Sequence, residues 1–413
     1  MDAVGAVPVV KSYSPYQFAF FRIVLGIYLA IHFATLIPYG AELYSAAGMI
    51  ADPSLNPTYR IFPNILNVVS SPAGVDAILA VLGVLSLLYA VGFRRRIAAV
   101  LLWYGWASVF NRNLLTSNPS LPFVGWLLLA SALIPEGEPL SIDRKRHSSS
   151  NWELPRALYW GAWIILAIGY TVSGIHKLTA PSWSDGTALI HVLNIPLARD
   201  NLIRETMLFL PVPLLRLMTW GAVAVETFFL PMCLLRTTRM PAWIAATAMQ
   251  IGILAVVNFT DLTMGMLMIH LFTFDSRWLP SSVAGRQPLV VFFDGVCGLC
   301  DRSVVWLMGE DRERHLRFAP LQGMTSREVL GPSTTYTSII VKDGSRVYER
   351  SDAVIRILTA IGGIWRLAEV LRVIPVPARN AVYDYVARHR YQWFGKMESC
   401  RMPTPEEAER MLP

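Results

Sequence analysis

Charge is scarce in this 413-residue chain: 16% of its residues are Asp, Glu, Lys or Arg, while 54% are hydrophobic. An ordinary soluble domain carries roughly 25% charge, so water cannot be the solvent for most of this chain. The mean hydropathy of +0.43 points the same way. Cysteine is scarcer still, with only Cys233, Cys297, Cys300 and Cys400, which excludes a disulfide-stapled secreted scaffold. There is no internal repeat, and low-complexity sequence is confined to 148–150 and to a polar, proline-flanked linker over 275–288. No cluster of basic and aromatic residues marks a nucleic-acid surface, so the net charge of +7 needs another origin.

The hydrophobic residues gather into eight runs: 16–38, 74–93, 97–115, 121–135, 157–175, 212–235, 241–257 and 262–279. Several approach the ~20 apolar residues that a bilayer-crossing helix needs, whereas the third and fourth are short or interrupted, as re-entrant segments are. Threading the eight alternately puts Arg94-Arg95-Arg96, Asp143-Arg-Lys-Arg-His147 and Arg236-Thr-Thr-Arg239 on one side, which the positive-inside rule makes the cytoplasm. The sequence therefore predicts a multi-pass α-helical membrane bundle over 1–280, integral to an inner or cell membrane. Both termini lie inside, and 39–73 and 177–211 lie outside. The first run has only Lys11 before it and no small-residue cleavage site after it, so it reads as a retained anchor.

Polar groups within or between these runs at membrane depth include Arg22, His32, Arg112, Glu226, Gln250, Asn258, Asp261 and His270. Charge at that depth is expensive unless paired or hydrated. One reading makes Glu226 a structural ion pair with Arg22 or Arg112; the other makes the group a cluster facing substrate or quinone. Trp103, Trp106, Trp160 and Trp183 read as interface anchors.

Past residue 280 the pattern changes. The apolar run Leu289-Val-Val-Phe-Phe293 leads into Asp294-Gly-Val-Cys-Gly-Leu-Cys300 and then a helical stretch over 301–309. Two intervening residues place both sulfurs on one turn at a helix start. There Cys297, nearer the positive end of the helix dipole, becomes the attacking thiolate and Cys300 the resolving thiol. A strand at 316–320, a hairpin of 337–341 with 346–348 turning at Asp343-Gly344, and a helix over 353–361 capped by Ser351-Asp352 complete the thioredoxin order. The expectation is an α/β thioredoxin-like domain over 281–413. A zinc half-site completed by Cys400 and His315 or His389 is the bland alternative, but it lacks a second tight ligand pair. Cys400 itself is either a passive thiol or a third redox cysteine. The stretch 354–376 is interrupted by Arg356, Arg366, Glu369 and Arg372 and reads as an amphipathic face; the aromatic, basic run 383–394 adds contact with a membrane surface.

Four ordered blocks carry a family resemblance: Phe293-Asp-Gly-Val-Cys-Gly-Leu-Cys300, Arg317-Phe-Ala-Pro-Leu-Gln322, Ser351-Asp-Ala353 and the run from Ala378-Arg-Asn380 to Trp393-Phe-Gly395. The chain resembles the DCC family of thioredoxin-like thiol-disulfide oxidoreductases over nearly all of 288–402. That resemblance implies redox work by Cys297 and Cys300, supported by Asp294 and Gly295. No proline stands immediately before Thr337, where thioredoxins place one.

A second resemblance lies in Tyr170-Thr-Val-Ser-Gly-Ile-His-Lys-Leu-Thr-Ala-Pro-Ser-Trp-Ser-Asp-Gly-Thr-Ala-Leu189, with Phe20-Phe-Arg-Ile-Val-Leu-Gly26, Asn111-Arg-Asn113 and the pair of helices over 250–278 carrying Asp261 and His270. These are similar to vitamin K-dependent gamma-glutamyl carboxylase and its bacterial HTTM-domain relatives. The resemblance puts Lys177 in the position of a catalytic base. Such a lysine must be largely neutral, which desolvation and the neighbouring His176 would favour; a lysine snorkelling at a helix end is the plain alternative. Glu226 and Arg112 are the other supporting residues. The large lumenal region that captures carboxylase substrates is absent, which leaves the membrane chemistry unassigned.

The leading expectation is a bacterial, membrane-tethered oxidoreductase whose partners are the lipid bilayer and a protein or small-molecule thiol or disulfide. A carboxylase-like or quinone-using membrane enzyme with a regulatory redox domain is the second expectation, and a non-enzymatic assembly or export factor the third. No metal is expected, and a quinone is the candidate cofactor. In the reducing cytoplasm the pair rests as a dithiol.

Overall fold

The computed structural model describes residues 13–145, 152–283, 287–311, 313–331, 338–397 and 403–413. They form two compact units, Met1–Phe274 and Asp275–Pro413, dividing a few residues before the boundary expected from hydropathy.

The N-terminal unit is mostly helical. Its principal helices are α1 (Pro15–Leu36), α2 (Pro72–Val91), α3 (Arg95–Arg112), α4 (Leu121–Leu133), α5 (Arg156–Leu178), α6 (Val212–Thr227), α7 (Arg236–Val256) and α8 (Thr260–Thr273). Local chemistry sets the ends: Ser14 and Ser71 cap α1 and α2 just ahead of Pro15 and Pro72, and Gly92, at φ 73°, closes α2 in the left-handed region. Each of the eight apolar runs overlaps one of these helices, yet they are not eight full-length spans. Among the described residues four helices are long and apolar enough to cross a bilayer: Pro15–Tyr44, Pro72–Val91, Arg156–Leu178 and Arg236–Val256. A fifth arises if Leu202–Leu208 and Val212–Thr227, bent by 113°, count as one span. The shortfall has physical causes. Helix α3 carries Arg95, Arg96 and Arg112, α4 has only 13 residues, and the sixth run breaks at Phe228 into Val212–Thr227 and Phe229–Leu234.

The C-terminal unit is built on a small mixed sheet. Strands β1 (Leu289–Phe293), β2 (Leu316–Pro320), β3 (Ile340–Asp343) and β4 (Arg346–Glu349) lie in the order β2-β1-β3-β4. β1 runs parallel to β2, with Val291 opposite Phe318, and antiparallel to β3, with Val291 opposite Val341. Helices α9 (Gly298–Glu310), α10 (Met324–Leu330), α11 (Arg350–Ile361) and α12 (Val376–Phe394) complete it. Strand alternation explains why β1 is apolar throughout: Leu289, Val291 and Phe293 enter a core with Val304, Leu307, Ala353 and Ile357, whereas Phe292 joins Ala319, Ile340 and Val329 on the other face.

The expected strand, helix, strand, hairpin and helix are all present, and the hairpin turns at Gly344, φ 59°. Three details differ. Helix α10, between β2 and β3, was not foreseen. The hairpin strand expected from 337 begins at Ile340, and 337 itself lies outside the described residues. Ser351-Asp352 does not cap a helix, because α11 starts at Arg350 directly after β4. Ser351 instead donates its hydroxyl to Asn380, and Asp352 pairs with Arg379 at 2.7 Å, both on α12. The amphipathic stretch after α11 is a 3-10 helix over Gly363–Val373 with no buried residue.

Candidate functional site

Helix α9 starts immediately after Cys297, which occupies the N-cap position with extended backbone. Cys297 is fully buried and Cys300, one turn on, is partly exposed; both are free thiols. Burial pushes the Cys300 thiol up to about 12, and its hydrogen bond to Cys297 and the charge of that sulfur add to the effect. Cys300 therefore stays protonated at neutral pH, while the dipole of α9 offers its positive end to a charge on Cys297.

The loop ahead of the pair is held by one carboxylate. Asp294 Oδ2 accepts from Arg390 Nη2 at 2.8 Å and from the Tyr391 hydroxyl; Oδ1 accepts from Gln322 Nε2 at 3.0 Å and Val296 N at 3.2 Å. Burial alone would raise the Asp294 pKa. The hydrogen bonds from Tyr391, Gln322 and Val296, with the charge of Arg390, outweigh it and hold the group below the usual carboxylate value. Gln322 also accepts from Gly295 N at 3.2 Å.

The stretch after α12 then closes over the turn: Gly298 N donates to Gly395 O at 3.2 Å, Met397 N to Val296 O at 2.8 Å, and Cys297 bridges to Lys396. A Cβ on Gly298 would lie 2.3 Å from Phe394 O, so only glycine lets this stretch approach. The zinc alternative finds its histidines engaged elsewhere. His315 pairs with Glu313 at 2.8 Å and His389 stacks on Trp393; Cys400 lies outside the described residues.

In the N-terminal unit, Glu226 pairs with neither Arg22 nor Arg112. Lys177 Nζ donates to both Glu226 oxygens at 2.6 Å, and Ser173 Oγ donates to Oε2 at 3.0 Å. The reason lies at Gly174: a Cβ there would sit 2.4 Å from Thr227 N, so α5 and α6 approach closely enough for Lys177 to reach Glu226. The Trp183 ring lies 4.5 Å from Lys177 Nζ, in cation-π contact with it. The segment after α5 folds back over the helix end as Trp220 Nε1 donates to Ser184 O at 3.1 Å. His176 is exposed.

Arg22 and Arg95 instead share Glu138, at 3.5 and 2.9 Å, and Arg112 bonds a backbone carbonyl, Ser45 O, at 3.2 Å. His32 Nδ1 lies 2.8 Å from Asp261, with Trp106, buried rather than interfacial, against its ring at 5.0 Å. Tyr170 links His270 and Gln250 at 2.8 and 3.0 Å.

Comparison with known proteins bears on the redox site. The DCC1-like thiol-disulfide oxidoreductase family model matches residues 291–396. The chain is 34% identical over 128 residues to the uncharacterized protein YuxK of Bacillus subtilis, covering 93% of that protein and 30% of this chain. It is 33% identical over 122 residues to a chloroplastic DCC family protein of Arabidopsis thaliana, covering 70% of that protein and 28% of this chain.

The chain belongs to the DCC family.

Membership rests on its C-terminal unit, a DCC-family thiol-disulfide oxidoreductase-like domain. No solved structure matches the chain. Within the DCC domain, the partners of Asp294 escaped the sequence reading, although Gln322, Arg390 and Tyr391 stand inside the motif blocks that carried the resemblance. A glutamine closing one block and an Arg-Tyr pair late in another were the available signal, but only folding shows that they converge on one aspartate.

Gly298→Ala tests the closure. Overpacking of this kind costs about 1–3 kcal/mol. Pushing residues 394–397 off the turn is expected to speed alkylation of Cys297 by iodoacetamide about tenfold, read by mass spectrometry, since 1.4 kcal/mol is a factor of ten in an opening equilibrium. An unchanged rate would mean that the stretch does not shield the sulfur.

Proposed function

We propose that the protein is a membrane-tethered thiol-disulfide oxidoreductase. Its helical unit spans a bacterial inner membrane, and its thioredoxin-like DCC domain works at the cytoplasmic side on the disulfide of a protein or small molecule. The observation that carries this reading is the asymmetry of the pair: Cys297 caps α9, while Cys300 is held as a protonated thiol hydrogen-bonded to it. The strand order β2-β1-β3-β4, with the pair between β1 and α9, supports the thioredoxin-like assignment.

In the reaction, the Cys297 thiolate attacks one sulfur of the substrate disulfide. The substrate S–S bond breaks, its other sulfur leaves as a thiolate, and a mixed disulfide forms. Cys300 then loses its proton and attacks the Cys297 sulfur, releasing the second substrate thiol and leaving a Cys297–Cys300 disulfide. Two electrons pass to the substrate, and a cellular thiol reductant or a membrane quinol must return them.

Cys300→Ser is expected to accumulate a mixed disulfide through Cys297, and Cys297→Ser to accumulate none, by gel shift after thiol quenching. Equal trapping by both variants would defeat the assignment.

A second reading gives the helical unit its own chemistry, with Lys177 as the base that the HTTM resemblance implies. Glu226 Oε1 stands 2.6 Å from Lys177 Nζ, within reach for proton exchange between the two.

A further inference from the structure

Among the described residues six arginines are buried: Arg22, Arg95, Arg112, Arg356, Arg390 and Arg410. Five face a carboxylate. Arg22 and Arg95 pair with Glu138, Arg356 with Asp343 at 2.6 Å, Arg390 with Asp294 at 2.8 Å, and Arg410 with Asp311. Arg112 is the exception. It is 1% exposed, forms no ion pair, and bonds only Ser45 O through Nη2, while Nε and Nη1 have no hydrogen-bond partner.

A desolvated guanidinium without a counter-charge is strongly unfavourable, and among the described residues every other buried arginine has one. Simple structural use does not explain the exception, because an apolar residue could fill the same volume at the end of α3 without that penalty.

The surroundings are polar, with Ser45, Asn56 and Asn113 buried beside it. Asn113, the next residue, donates to Leu43 O at 3.0 Å, and Asn56 donates to Asn111 O, so the loop from Ser45 to Asn56 is pinned over the end of α3. Asp52, in that loop, is near enough for its charge to act on Arg112, but it points to solvent and caps Ser54 N at 2.9 Å.

We propose that Arg112 anchors an oxyanion-binding site in the N-terminal unit, where a carboxylate or phosphate beneath the 45–56 loop supplies the missing counter-charge. Arginine suits this task because its charge is permanent and its planar group bonds such oxygens through several N–H donors. The anion is either a soluble small molecule or the headgroup of an anionic lipid.

The test uses the full chain in a neutral detergent, with the thermal midpoint as readout. Inorganic phosphate, succinate and phosphatidylglycerol are titrated, with chloride at matched ionic strength and phosphatidylcholine as controls. At least one anion is expected to raise the midpoint by several degrees through selective binding to the folded state. Arg112→Met should abolish the rise, and Arg112→Lys should weaken the apparent affinity about tenfold, since an ammonium does not replace the planar donor group. A rise with phosphate or succinate assigns a soluble ligand, and one with phosphatidylglycerol alone assigns a lipid.

No rise beyond the controls overturns the site, as does an unchanged rise in Arg112→Met. Should Arg112→Met not fold, the lysine variant decides: an affinity equal to wild type overturns the proposal. A rise that appears only in Asp52→Asn and not in the wild type would also overturn it, by making Asp52 the counter-charge.

Discussion

Asp294→Ala is expected to destabilise the C-terminal unit by about 3–5 kcal/mol, the usual cost of removing one member of a buried ion pair. The substitution takes from Arg390 the carboxylate it meets at 2.8 Å, and from Tyr391, Gln322 and Val296 the acceptor they share. Asp294→Asn, which keeps an acceptor oxygen but loses the charge, should cost less. The pH dependence separates charge from shape. The folded Asp294 pKa is depressed, so its contribution is fully present above the unfolded carboxylate value of about 3.9 and disappears as pH falls through the lower folded value. Wild type should therefore lose stability in that acid window, and Asp294→Asn should lose less there. Hydrogen exchange at the amides of β1 and α9 reads both effects locally. Equal acid sensitivity in the two proteins would place the titrating group elsewhere.

The second large effect concerns Lys177 and Glu226. Lys177→Ala leaves Glu226, 4% exposed, without its cation, and the penalty is again about 3–5 kcal/mol. Lys177→Arg should keep the fold, because a guanidinium pairs with the same carboxylate and still stacks on Trp183. If the helical unit is a tether, that variant also complements a deletion strain as well as wild type does. If Lys177 is a base, complementation fails while the thermal midpoint holds, because guanidinium does not give up its proton. Failure of both measurements would mean that ammonium geometry at the Glu226 pair matters to folding itself.

The redox motif and its setting were legible because they are local. An apolar run of five residues, an Asp-Gly turn and two cysteines on one helical turn specify strand, loop and helix within twelve positions. Long-range pairing was not. Arg390 lies 96 residues from Asp294 and Lys177 lies 49 from Glu226, and nothing in spacing ties either pair together. The sequence reading offered Glu226 Arg22 or Arg112, and the close approach at Gly174, a packing effect, brought it Lys177 instead. Ser351-Asp352 misled for a similar reason: the two residues have the composition of a cap, but partners on α12 claimed their side chains. Among the described residues fewer helices than apolar runs are long enough to cross a bilayer, because apolar composition persists where the backbone breaks, as it does at Phe228.

The closure of residues 395–397 over Cys297 also governs how fast the thiol can react. A fully buried sulfur meets a partner only when the covering stretch opens. At high concentrations of any oxidant the observed rate should therefore level off at the opening frequency instead of climbing with dose. Peroxide gains little from being small and abundant, and each sulfenic acid it forms lies one helical turn from a protonated thiol able to condense with it to a disulfide. A cysteine sheltered in this way resists irreversible oxidation to sulfinic acid, and a partner that binds and displaces the cover obtains a reaction rate that diffusing oxidants do not.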